Sequence, residues 1–312
     1  MTAPILSPTP DTVDRAADIL RRGGLVAMPT ETVYGLAANA ANGEAVARIY
    51  AAKGRPSFNP LIAHVASLEM AQREGVFSPK ALSLAEAFWP GPLTLIVDVT
   101  ATGTVSDLAR AGLESIALRI PAHPVARALL TAFGAPLVAP SANPSGQISP
   151  TLAEHVAQDM AEKIDLIIDG GPCSSGVEST IIDARGTRPA LLRPGSLAAA
   201  EIEQIWPGLI RPALNPDAPQ SPGQLLRHYS PDARLRLDAA AAQPGEAYLG
   251  FGPIDATLNL SPTCDLAEAA ANLFAMLRQL DGKYDRIAVA SIPQEGLGEA
   301  INDRLTRAAK YA

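Results

Sequence analysis

Apolar and polar positions alternate in two rhythms along this chain, and the switches between them mark out its elements. Val13, Ala16, Ala17 and Leu20 fall three and four residues apart, which predicts a helix over 12–22 that Gly23 and Gly24 end. Residues 25–28 (LVAM) form a short apolar run, read as a buried strand, with PTETVYGL (29–36) at or just past its end. A helical stretch over 44–52 runs into KGRP, and LIAHV (61–65) reads as a strand. Ser78-Pro79 supplies an N-cap and first-turn proline for a helix to Phe88. LTLIVDV (93–99) and SIALRI (115–120) are strand-like. In the second, Ile116, Leu118 and Ile120 share one face and put Arg119 on the other, beside Ala117. A helix over 124–133 stops at Gly134, and strand PLVA (136–139) leads into PSANPSG. Helix 151–162, strands 164–169 and 177–183, and a strand and turn at 190–195 complete this part.

The pattern then lapses. Residues 206–233 are rich in proline and nearly aperiodic, which reads as a linker or a long ordered loop. Beyond it, RLRLD, AYLGF and RIAVAS alternate with helices near 266–280 and 297–310, a small parallel α/β unit. Asp265 and Glu268 form an Asp variant of a capping box. The domains expected are therefore 1–205, a linker or lid at 206–233, and 234–312.

Composition narrows the class. Of 312 residues, 47% are apolar but only 4% aromatic, so aliphatic side chains must fill the core. The net charge of −7 argues against a general polyanion-binding surface but leaves room for a local basic cleft. Two distant cysteines, Cys173 and Cys264, offer neither a disulfide framework nor a zinc site. With no signal-peptide pattern at the N-terminus and no run of membrane-spanning length, a cytoplasmic protein without membrane association is expected.

Four clusters carry the chemistry: PTETVYGL (29–36), KGRPSFNPL (53–61), APSANPSG (139–146) and GVESTIID (176–183). They offer Thr32, Lys53, Arg55, Ser141, Asn143 and Ser179 beside Gly and Pro turns, an inventory that suits a phosphate and a small zwitterion. There is no P-loop, no GxGxxG after the first strand, no GxSxG and no HExxH, so any nucleotide phosphates must be held by side chains and turn amides. KGRP can equally be a solvated helix end, where basic residues ordinarily sit. Two polar clusters at strand ends weigh the other way, because open α/β sheets bind ligands there. His64 within LIAHV reads first as a core histidine. Arg119 in a buried strand must be paired or functional. LLRHYSP (225–231) is either an anchored loop or a lid entering the cleft.

In this order, PTETVYGL, AKGRPSFNPL, WPGPLTLIV, LRIPAHPVA, APSANPSG, IIDGG, GVESTIID and LLRPG resemble the YrdC/Sua5 family of threonylcarbamoyl-AMP synthases. SPGQLLRHYSP and a tail ending GLGEAINDRLTRAA resemble its longer, two-domain Sua5 type. The resemblance implies an α/β (α+β-like) fold: a YrdC-like domain with a twisted mixed sheet around an open cleft, plus a small Rossmann-like C-terminal domain. It implies that L-threonine, bicarbonate and ATP give threonylcarbamoyl-AMP and pyrophosphate, for t6A at position 37 of tRNA, with Mg²⁺ on the ATP phosphates. By matched position, Lys53, Arg55, Ser141 and Asn143 would be the catalytic signature. Arg55, Asn59, Ser115, Ser141, Ser149, Arg193 and Tyr229 would contact ATP, and Thr32, His64, Arg119 and Ser179 would contact threonine. GLAANA stands where the family commonly has GLGANA, a departure at Ala37 that matters only if the backbone there needs positive φ. A different carbamoyl-adenylate former or carbamoyltransferase, and a double-stranded RNA or tRNA-binding module, are the alternative functions. tRNA and t6A-transferring proteins are candidate partners.

Overall fold

The computed structural model describes residues 2–213 and 229–309. Strand β1 (Ile5–Leu6) precedes helix α1 (Pro10–Arg21), whose N-cap Thr9 accepts from Thr12 N at 3.2 Å. Strands β2 (Val26–Met28) and β3 (Gly35–Asn39) follow, then α2 (Gly43–Lys53), which Asn42 caps and the left-handed Gly54 ends. Next come β4 (Ile62–His64), α3 (Leu68–Glu74), β5 (Gly75–Val76) and α4 (Pro79–Phe88). In α4, Ser78 Oγ accepts from Ala81 N at 3.1 Å, as the Ser-Pro start predicts. Strands β6 (Leu93–Val99) and β7 (Ser115–Arg119), helix α5 (Pro124–Phe133), β8 (Leu137–Val138), α6 (Ala153–Met160), β9 (Leu166–Ile168), β10 (Thr180–Asp183), β11 (Ala190–Arg193) and α7 (Ala199–Ile205) complete the first unit.

Its sheet is mixed, in the order β1-β9-β2-β3-β8-β4-β7-β6-β10-β11, with β5 on β6. Ile116, Leu118 and Ile120 enter the main core, while Ala117 joins Ile62, Ile96, Ile181 and Leu192 on the opposite face. That split is the one the period-two pattern predicts. Val13, Ala16, Ala17 and Leu20 pack α1 against Val26, Met28, Ala37, Leu129 and Leu130.

Several elements escape the pattern. Strand β3 reads GLAAN, small residues with weak strand preference, and forms because β2 and β8 pair with it antiparallel on either side. Helices α3 and α7, of seven residues each, are too short to show a period. Ala37 sits fully buried in β3 and is not among the residues with positive φ, so the family's usual glycine is not required there.

The second unit is a four-stranded, all-parallel sheet: β12 (Arg234–Arg236), β15 (Arg286–Val289), β13 (Ala247–Gly250) and β14 (Leu258–Asn259), in that spatial order. Helices α8 (Leu266–Leu280) and α9 (Leu297–Ala309) cover it. The capping box at Asp265 is relayed. Asp265 Oδ1 accepts from Ala267 N and Glu268 N, but Ser261 Oγ stands between the Glu268 carboxylate and the Asp265 amide.

Most of the linker reading, and the lid reading of 225–231 except for 229–231, falls outside the described residues. Trp206 is buried in the main core and Ile210 bridges to Ala190, while Tyr229 stacks on Phe274 of α8 at 5.4 Å. The two units meet closely: Gly176 has φ of +70°, and a Cβ there would lie 2.3 Å from the Ala270 carbonyl oxygen of α8.

Candidate active site

The sheet's hydrogen-bonding register assembles the site. Strands β4 and β7 are parallel and pair His64 with Arg119 at their C-terminal ends, with Ile62 and Ala117 two residues back on the same face. Strand β8 ends in Ala139, Pro140 and Ser141, and Ser141 bridges to Gly35 at the start of β3. Strand β10 runs parallel to β6, and β6 is antiparallel to β7. The beginning of β10 therefore lies on the same side as the end of β7 and brings Glu178 and Ser179 there. Arg193 ends β11 opposite Ile181. The result is an open pocket enclosing about 530 Å³ when the space at its mouth is counted.

Thr32, Arg55, His64, Arg119, Ser141, Ser179 and Arg193 all line this pocket. Lys53, Asn59, Asn143, Ser149 and Tyr229 do not line it but are buried. Lys53 is no solvated helix end. It is 4% exposed, and its Nζ donates to the carbonyl of Ser141 at 2.5 Å and to that of Asn143, fastening the turn that presents Ser141. Asn143 donates to the Pro144 and Gln147 carbonyls. Ser149 Oγ donates to Glu178 Oε1 at 2.6 Å. The geometry does not bring Ser115 to this group. It starts β7 opposite Asp98, four residues and about 13 Å of strand from Arg119.

Arg119, which its place in a buried strand requires to be paired or functional, is paired. Its Nη2 donates to Glu31 Oε1 at 2.6 Å, Nη1 to Thr32 Oγ1 at 2.9 Å and Nε to the Gly91 carbonyl at 3.3 Å. A guanidinium has five N–H donors, so two remain for a ligand carboxylate. Burial pushes the Glu31 carboxyl up, but the Arg119 charge and the backbone amides of Glu31 and Ala122 outweigh it and hold it below its ordinary value. Arg193 donates from Nε and Nη2 to the Ser179 carbonyl and from Nη2 to Ser179 Oγ, which also bonds Thr94 Oγ1 at 2.7 Å. Arg55 donates from Nη2 to the Asn59 and Pro60 carbonyls, and burial lowers it to about 10. Lys53 is likewise lowered by burial and by the neighbouring Arg55 charge.

Burial, with the charge of Arg119, pushes His64 down to about 3, so its ring is neutral at ordinary pH. Its Nδ1 has no hydrogen-bond partner among the described residues, and neither do Arg55 Nε, Asn59 Oδ1 and Asn143 Oδ1. Folded proteins rarely strand buried polar atoms, so four in and around one pocket mark a place that awaits a polar ligand.

Two carboxylates and one cation escape sequence reasoning. Glu31 lies inside PTETVYGL and Glu178 inside GVESTIID, and the signal was charge balance: buried arginines need counterions. Arg304 pairs with Glu178 at 2.7 Å from the other unit. It falls on the apolar stripe of α9 with Ala300, Ile301, Leu305 and Ala308, a misplaced cation that the helical period could have exposed.

A family model described as Telomere recombination, covering the Sua5, YciO and YrdC proteins, matches residues 18–195, and a model described as Threonylcarbamoyl-AMP synthase, C-terminal domain, matches 197–310. A threonylcarbamoyl-AMP synthase of Pyrococcus abyssi is 42% identical, with 95% of this chain and 93% of that protein covered. One of Bacillus subtilis is also 42% identical, with 97% and 94% covered. The crystal structure of P. abyssi Sua5 complexed with L-threonine superposes with a TM-score of 0.91 at 39% identity, covering 99% of this chain and 98% of that one.

Proposed function

The chain belongs to the family of Sua5, YciO and YrdC proteins, of the two-domain type, and from that premise we propose that it is an L-threonylcarbamoyladenylate synthase. Its reaction takes L-threonine, bicarbonate and ATP to threonylcarbamoyl-AMP and pyrophosphate, the activated intermediate for t6A in tRNA. One observation carries this reading: three buried arginines, a neutral histidine and two serines share one pocket, with stranded polar atoms around it. Such a lining accepts a carboxylate and phosphates together and offers no activated nucleophile.

Arg119 is the cation for the threonine carboxylate, with Glu31 and Thr32 fixing the plane of its fork. Arg55 and Arg193 face the phosphates, and Ser141 and Ser179 supply neutral donors. The amine lone pair attacks the carbon of bicarbonate-derived CO₂ and a proton leaves the nitrogen. A carbamate oxygen then attacks the α-phosphorus while the bond to pyrophosphate breaks. Positioning and charge neutralisation carry the rate, and no covalent enzyme intermediate is needed. His64, neutral, orients the carbamate through a hydrogen bond rather than by giving up a charge.

Mg²⁺ would be carried by the nucleotide's phosphates. Glu178, the carboxylate in the pocket lining, and Glu31, beside it, are already held by Arg304 and Arg119, and no group of three or more His, Cys, Asp or Glu among the described residues could hold a metal. The side chains thus fit an ion carried by phosphate oxygens and water, which would neutralise phosphate charge. tRNA and a t6A-transferring protein are partners of the product's pathway. No described helix is long and apolar enough to cross a membrane. Pyrophosphate release with threonine, against serine, with and without bicarbonate, tests the reading; release independent of threonine overturns it.

A further inference from the structure

Arg304 is the largest fully buried side chain among the described residues. Its Nε donates to Glu178 Oε2 and its Nη1 to Asp303 Oδ2, each at 2.7 Å, and its guanidinium lies 5.1 Å over the Tyr229 ring. Desolvating a cation is costly, and an aliphatic side chain would fill the stripe of α9 more cheaply. What the arginine adds is a directed tether on Glu178, a pocket-lining residue of the other unit. Glu178 in turn accepts from Ser149 Oγ at 2.6 Å, and the next residue, Ser179, receives Arg193. The same segment is pinned by bare backbone contacts: Gly176 against α8, and Gly195 within 2.4 Å, at a notional Cβ, of Glu178, Ser179 and Thr180.

We propose that Arg304 is a positioning residue for the nucleotide side of the pocket, acting through Glu178 on Ser149 and, by way of the Ser179 backbone carbonyl, on Arg193, and that this is how the C-terminal unit is coupled to the reaction. The assignment of a nucleotide side rests on the function proposed above. The bland alternative is a weld between domains, as Arg278 makes with Asp159 at 2.6 Å on the same seam. A weld would change stability without choosing between substrates.

The test uses the full chain with Arg304→Met, Arg304→Lys, Glu178→Gln and the Arg304→Met/Glu178→Gln double variant, with Glu299→Gln, which loosens only the exposed contact of α9 with Arg211, as control. ATP and threonine affinities are titrated, and pyrophosphate release is measured alongside. Arg304→Met should weaken ATP about tenfold while threonine affinity stays within about twofold, and should add little on top of Glu178→Gln. Equal weakening of both substrates, unchanged affinities with a lower melting temperature, or full additivity with Glu178→Gln each overturns the proposal. If Arg304→Met does not fold, Arg304→Lys, which keeps the charge and loses the Nε donor, is read by the same criteria. A wild-type chain that binds ATP but releases no threonine-dependent pyrophosphate overturns the proposed function, and the ATP titration then decides this inference alone. A wild-type chain that binds no ATP overturns both.

Discussion

Glu31 and Arg119 meet at 2.6 Å beside the pocket that Arg119 lines, from segments 88 residues apart, and both are buried. The carboxylate fixes one arm of the fork and Thr32 the other. Arg119→Lys keeps the charge but loses the plane, and with it the two N–H groups left for a ligand. Its threonine KM should rise about 100-fold, the effect of about 3 kcal/mol of charge-assisted hydrogen bonding, with the ATP KM little changed. Initial rates of pyrophosphate release over a threonine titration read this out, and an unmoved threonine KM removes Arg119 from the role.

Lys53 is expected to act on the nucleotide at one remove. It holds the Ser141 and Asn143 carbonyls rather than facing the pocket, so Lys53→Met frees the turn while sparing the cost of burying an ammonium group. ATP affinity should fall about tenfold, roughly the worth of one well-placed hydrogen bond to the serine turn. Threonine affinity should stay near its original value. Isothermal titration with each substrate separately would show whether the loss falls on ATP alone.

Gly195 has no room for a side chain. Its notional Cβ lies 2.4 Å from Glu178 O, Ser179 C and Thr180 N, all backbone, so nothing can swing aside. Gly195→Ala should cost about 3 kcal/mol of stability and displace Ser179 from Arg193. Chemical denaturation measures the first effect and ATP titration the second. A variant as stable as the parent would contradict the tight packing of this segment.

Acid should destabilise the fold through buried histidines. His64 is lowered to about 3 by burial and by Arg119, and His155 to about 4 by burial and by Arg278. Between the ordinary histidine value of about 6.5 and those values, the unfolded chain binds protons that the folded chain refuses. Stability therefore falls as pH drops through that window, by about 1.4 kcal/mol per pH unit for each group, and is flat with respect to them above it. Urea midpoints at pH 7.5, 6 and 5 should show the fall, and His64→Gln should make it shallower by one proton. An identical slope in the variant would show that His64 titrates normally.

Much of this was legible in the residue order. The spacing of Val13, Ala16, Ala17 and Leu20 set α1, Ser78-Pro79 set the start of α4, and the alternation in β7 placed Arg119 on the face away from Ile116 and Leu118. Strand β3 was not legible, because Gly, Ala and Asn pair there only once β2 and β8 stand on either side. Nor was the division of labour within KGRP, where Arg55 reaches the pocket and Lys53, two residues earlier, turns to the Ser141 loop.

Local rules suffice where a residue's fate depends on neighbours three or four positions away: caps, helical stripes, the two faces of a strand. The sequence alone therefore determined most of the longer elements, the two-unit order and the four polar clusters. Which cation meets which counterion depends on strand order and on the seam between units. Glu31 with Arg119, and Glu178 with Arg304, became partners only through sheet pairing and the docking of α9. Coulomb attraction acts through space, and no periodicity along the chain records it.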